Sequence, residues 1–191
     1  MKSSILPTDF YSNPDVVDVS RNLLGKFLCT QMNGEFTSGM IIETEAYCGR
    51  NDKACHANNN KRTDRTEVMF GEPGRAYIYL CYGIHHLFNV VTNQEGLADA
   101  VLIRGIKPVD GLDIIKHRRQ ISSEKNLSNG PGKLTQALGI RTLYTGHDLS
   151  EPPIWIEDRG VHIADDQIQS TPRIGVDYAG DDALKPWRFT I

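Results

Sequence analysis

The dipeptide Asn33-Gly34 constrains this chain more than any other feature. It lies between two apolar stretches, Phe27–Thr30 and Phe36–Tyr47. Asn and Gly both tolerate the positive φ that two-residue hairpin turns need. The pair therefore predicts antiparallel pairing, not a crossover to a parallel neighbour. A second hairpin is expected over Arg75–Cys81, a turn at Tyr82-Gly83, and Ile84–Thr92. Ala100–Ile106 reads as a further strand, and Pro153–Glu157, Val161–Ala164, Ile174–Tyr178 and Trp187–Ile191 as short ones. Helices are expected from Asn13-Pro14 to a stop at Gly25, over Val109–Arg119 with its basic last turn, and from Ser128-Asn129 through Leu138. Hairpins with two to four helices predict the α+β class.

A chain of 191 residues suits one domain. Residues 48–74 are polar and punctuated by glycine and proline, which predicts a long functional loop. No apolar run approaches the roughly 18–20 residues of a membrane span. The first residues lack the basic and apolar regions of a signal peptide. A soluble, cytoplasmic protein is the expectation, nucleoid-associated if the source is bacterial. The net charge of −3 argues against holding nucleic acid by bulk charge. Its distribution is uneven. Residues 151–182 carry eight acids against two arginines, whereas cations gather at Lys61–Arg65 and Lys116–Arg119, so a local basic surface is compatible with an acidic chain. The four cysteines form no C-x-x-C pair and are expected reduced. Cys48, Cys55 and His56, with His85 or His86, fit no established zinc-ligand spacing, so no metal site is expected; no cofactor is expected either.

As a strand, Met40–Tyr47 alternates two faces. Met40, Ile42, Thr44 and Ala46 form one. Ile41, Glu43, Glu45 and Tyr47 form the other. Two carboxylates and a tyrosine on one face, beside a long polar loop, suit either a solvated outer face or a cleft wall with a general base. The spacing of Glu43 and Glu45 also suits the carboxylate pair of an inverting carbohydrate hydrolase. Tyr82, at a hairpin tip, is either a packed corner residue or a wedge for nucleic acid. Tyr47, Tyr79 and His56 could frame a slot for a planar ring. A protein that binds distorted DNA without catalysis is a third reading.

The blocks IIETEAYCG, Asp52–His56, MFGEPGRAYIYLCYGIHHLFNVV, VLIRGIKP, NGPGKLTQALGI and RIGVDYAGDDALKPWRF resemble the alkyladenine (3-methyladenine) DNA glycosylase family. They run in family order from Leu23 to Phe189. The resemblance implies one domain over 1–191 with a curved antiparallel sheet, residues 1–20 being a flexible extension outside the match. It implies a monomer that binds double-stranded DNA containing damaged purines, flips out a base such as 3-methyladenine, hypoxanthine or ethenoadenine, and hydrolyses its N-glycosidic bond. Glu45 would activate the attacking water, with Arg104 and the backbone carbonyl of Ile174 holding it. Tyr47 would stack on one face of the base, and His56 and Tyr79 on the other. The His56 N–H would read the base edge, and Asn89 would stand against the guanine amine. Tyr82 would fill the gap in the duplex, and Lys61 and Arg65 would meet the DNA backbone. Two departures accompany the match. Lys61 stands where an arginine is expected, which loses bidentate contact. Asn93–Ala98 is about two residues longer than usual.

Overall fold

The computed structural model describes residues 3–191. In chain order the elements are β1 (Ser4–Ile5), α1 (Thr8–Tyr11), α2 (Val16–Asn22), β2 (Phe27–Met32), β3 (Glu35–Tyr47), β4 (Ala76–Cys81), β5 (His85–Thr92), β6 (Asp99–Asp110), α3 (Leu112–Arg119), α4 (Pro131–Leu138), β7 (Ser150–Glu151), β8 (Ile154–Asp158), β9 (Gln169–Thr171) and β10 (Arg188–Thr190). All strand pairs are antiparallel, in one open sheet ordered β1-β8-β2-β3-β6-β5-β4. β10 joins the second half of β3, where β2 no longer reaches, and β9 pairs with β10. The α+β class stands. No helix is long and apolar enough to cross a membrane among the described residues.

Local chemistry explains the elements. Asn33 and Gly34 adopt φ of 52° and 83° and close the β2–β3 hairpin. Asp15, not Asn13, caps α2: its carboxylate accepts from the N–H groups of Val17 and Asp18 at 2.9 and 3.3 Å. Val16, Val19 and Leu23 then face the core. Helices α2, α3 and α4 cover one face of the sheet and meet Ile78, Phe88, Val90, Val101 and Ile103. The opposite face of β4, β5 and β6 is roofed by residues 48–74, through a smaller cluster of Cys55, Ala57, Met69, Phe70, Tyr77, Val91, Ala98 and Ala100.

Several expectations need correction. The long loop stands, with short 3-10 turns at Asn58–Asn60 and Glu67–Phe70. Val161–Ala164 and Ile174–Tyr178 form no strand; the latter crosses Gly175 at φ 76° and enters a 3-10 turn at Asp177. β6 runs on to Asp110, so α3 starts later than Val109, because β3 supplies pairing as far as Ser38–Asp110. The described part of residues 1–20 is not a loose extension: Leu6, Tyr11, Val16 and Val19 lie in the main core, and Ser4–Ile5 pairs with β8.

One irregularity positions everything that follows. Ile41 pairs with Ile106, Glu43 with Gly105, and Thr44 with Ile103, leaving Ile42 and Arg104 without partners. Each strand thus carries one extra residue, a bulge on both sides of the ladder. Alternation shifts there, so Ile41 joins the core instead of sharing a face with Glu43.

Candidate active site

Past this double bulge, β3 and β6 present Tyr47, Ala100, Leu102 and Arg104 to a cavity of about 450 Å³. His56 and Arg65 from the loop, Tyr79 and Tyr82 from the β4–β5 hairpin, Asn89 from β5, and Ile174 and Tyr178 from the C-terminal segment complete its walls. Eight of the expected site residues (Tyr47, His56, Arg65, Tyr79, Tyr82, Asn89, Arg104 and Ile174) therefore meet at one place, with Glu45 directly behind.

Glu45 is fully buried. One carboxylate oxygen accepts from the Tyr47 hydroxyl at 2.7 Å and from Arg104 Nη1 at 3.2 Å. The other accepts from the Ile174 N–H at 2.8 Å. Burial raises its pKa, and the three donors only partly oppose this. Ile174 thus meets Glu45 through its N–H, a contact separate from the water-holding role expected of its carbonyl. Arg104 also donates from Nε to Glu43 at 3.0 Å. Burial works against its charge, yet Glu45 and Glu43 outweigh that and raise its pKa.

His56 is held at both ring nitrogens. Arg65 Nη2 lies 3.1 Å from Nε2, and the Tyr77 hydroxyl lies 2.9 Å from Nδ1. A guanidinium can only donate, so Nε2 is the acceptor and the ring proton sits on Nδ1. Burial, with Arg65 adding to it, lowers the His56 pKa to about 4. The ring is neutral at pH 7. It stands edge-on to Tyr79 at 4.7 Å between centroids. Arg65 itself lies over the Tyr79 ring at 4.7 Å. Arg65, expected on the DNA backbone, lies in the cavity wall, and Lys61 is exposed on the loop. Asn89 is buried and donates from its amide nitrogen to the Tyr77 carbonyl at 3.0 Å.

The two hairpin tips differ. Tyr82 and Gly83 have φ of 51° and 71°, nearly the backbone of Asn33-Gly34. Asn accepts that conformation readily; Tyr does not. Yet Tyr82 holds it with 92% of its surface exposed, so no packing repays the strain.

Sequence reasoning missed the support behind the site. Arg173 and Asp52 form a fully buried two-pronged pair at 2.5 and 2.8 Å. Arg173 also donates to the carbonyls of Ala46 and Asp182, and lies over the rings of Tyr47 and Trp187 at 4.8 and 5.2 Å. The pair fixes the backbone beside Ile174 and thus the N–H on Glu45. Both residues stand inside the quoted blocks, and nothing in their spacing marks them as partners. Cys48 and Cys55 are buried beside it, and no cluster of three or more His, Cys, Asp or Glu side chains suited to a metal occurs among the described residues.

Comparison with known proteins gives a consistent result. The family described as methylpurine-DNA glycosylase (MPG) matches residues 9–191. A protein of Chlamydia abortus, named "Putative 3-methyladenine DNA glycosylase", is 48% identical over 189 residues, covering 98% of this chain and 98% of that protein. Proteins of the same name from Carboxydothermus hydrogenoformans and Bacillus cereus are 49% and 46% identical, covering 98% and 96% of this chain and 95% and 93% of their own lengths.

Proposed function

Since the chain belongs to the methylpurine-DNA glycosylase family, and so is a DNA glycosylase, an N-glycosyl hydrolase, we propose that its cavity receives a single damaged purine flipped out of duplex DNA and that Glu45 directs water onto the sugar carbon. The observation that carries this reading is the buried Glu45 carboxylate. It lies immediately behind the aromatic cavity and is gripped by Tyr47, Arg104 and the Ile174 N–H.

The chemistry follows from these groups. N-glycosidic cleavage builds positive charge on the sugar. A carboxylate there both accepts a proton from water and stabilises that charge. Its raised pKa brings it toward the working pH, where a base is most effective, and activity falls once acid protonates it. Tyr47, Tyr79 and His56 bound a slot for a planar base. A neutral His56 adds no charge against a cationic alkylated purine. Asn89 faces the same slot and is the residue against which a guanine amine would collide. Tyr82 is the wedge that holds the duplex open, and Lys61, with Arg65 once released from Tyr79, meets phosphate.

We assign 3-methyladenine, hypoxanthine and ethenoadenine as the substrate class. The product is an intact abasic site. Lys53 and Lys61 stand on the loop outside the carboxylate cluster, so no amine is placed to form an imine. Arg104 and Arg188 both donate to Glu43, which disfavours the carbohydrate-hydrolase reading of a free carboxylate pair.

Glu45→Gln is the test. Single-turnover release of 3-methyladenine from a duplex should fall by about 10²–10⁴-fold, the usual contribution of a general base, with lesion binding retained. Excision within a few-fold of the unsubstituted enzyme would remove Glu45 from the mechanism.

A further inference from the structure

Glu43 and Arg188 belong to no step described so far, although they form a chain that ends on the proposed base. Arg188 Nη1 donates to Thr171 Oγ1 at 3.1 Å, and its Nε donates to Glu43 Oε1 at 2.7 Å. The same Glu43 oxygen accepts from Arg104 Nε at 3.0 Å, and Arg104 Nη1 reaches Glu45 at 3.2 Å. The backbone is shaped for this relay. Arg188 pairs with Glu45 across β10 and β3. Gly105 leaves the space that Glu43 crosses: a Cβ there would stand 3.3 Å from both Glu43 Cβ and Oε2.

We infer that Glu43, clamped by Arg188, is a positioning residue that divides the Arg104 guanidinium between two carboxylates, so that Arg104 orients Glu45 without neutralising it. An arginine free to turn wholly onto Glu45 would form the bidentate pair it prefers. That pair would compete with water for the oxygens the reaction needs. A second carboxylate on Nε prevents the rotation, and Arg188 keeps the second carboxylate in place. This inference rests on the reading of Glu45 as the base.

The test uses the pH dependence of single-turnover excision, whose acid limb reports the ionisation of Glu45. Glu45 is faced by Glu43 and Tyr47 on its own strand, Arg104 on β6, Tyr79 on β4 and Arg173 beside Ile174, with Arg188 on β10 reaching Glu43. The Glu43 charge raises the Glu45 pKa. Glu43→Gln should therefore move the acid limb to lower pH while slowing the plateau rate. Arg188→Gln removes a positive charge and should move the limb to higher pH, and Arg188→Lys should return it toward the original. Each shift should be at least about half a pH unit, the effect of one charge over ~7 Å with full water screening, which a buried carboxylate does not have. A merely structural role would lower rates without separating the limbs. Limbs that stay in place in either variant, or that move the same way, overturn the inference. Failure of the base assignment has a different signature: Glu45→Gln would retain excision.

Discussion

The β3–β6 pair lines two cavities of nearly equal size. One, about 450 Å³, lies beyond the double bulge; the other, about 480 Å³, is formed before it by Met40, Ile42, Ile106, Lys107, Leu127 and Ile191. Size does not separate them; the state of their charged groups does. At the first cavity the Glu45 carboxylate is fully buried and held by three donors, and the supporting Asp52–Arg173 side chains have no exposed atoms. At the second, Lys107 is exposed and Glu124 reaches into solvent toward Lys116. Charges kept away from water need partners in fixed places, and fixed partners are what a reaction requires. Water-exposed charges are screened and contribute little in either respect.

The two cavities differ most at Asp52. Asp52→Ala leaves Arg173 buried without its counter-charge and should lower stability by about 3–5 kcal/mol in urea unfolding. Glu124→Ala at the other cavity should cost less than about 1 kcal/mol. Similar losses in the two variants would mean that the buried pair is not a structural support. Next in size is the proposed wedge, Tyr82. Tyr82→Ala should weaken binding of a lesion duplex by about 1–3 kcal/mol, and much less for a lesion in a single strand. Equal losses on both substrates would make Tyr82 a corner residue only.

Acid sharpens the contrast more gently. His56 titrates near 4 in the folded chain, below the ordinary value of 6.5. The unfolded chain therefore takes up a proton first. Stability held by the neutral ring is present above pH 6.5 and is lost as pH falls toward 4, by on the order of 1 kcal/mol between pH 7 and 5. His56→Gln should flatten that slope; an unchanged slope would place the sensitivity elsewhere. The smallest effect is a gain. Tyr82→Asn suits the positive φ of the turn and should stabilise the chain by a few tenths of a kcal/mol while still losing duplex binding.

Much of this was legible in the residues. Asn33-Gly34 and the alternation of Tyr77, Tyr79 and Cys81 announce local geometry, so both hairpins follow from the chain itself. The family blocks bring Glu45, Tyr47, His56, Asn89 and Arg104 to one expected place, and the folded chain brings them together. What escaped depends on contacts between distant segments. Asp52 meets Arg173 only after the C-terminal segment folds back. The Ile174 N–H meets Glu45 from a segment 129 residues away, and no motif records that approach. Ile41 was put on the wrong face because simple alternation has no place for an extra residue.

That extra residue has a consequence for chain length. Ile42 and Arg104 are matched insertions, one on each strand, separated by the single Glu43–Gly105 pair. Deleting both would leave Ile41–Ile106, Glu43–Gly105 and Thr44–Ile103 as consecutive rungs of a regular ladder. Every core residue would keep its side of the sheet. The guanidinium between the two carboxylates would be gone, together with the Ile42 side chain at the second cavity. A regular, shorter relative of this fold is therefore geometrically available, and it would lack the arginine that bridges Glu43 and Glu45. Two added residues separate them, one on each strand, so the ladder regains its register past the bulge.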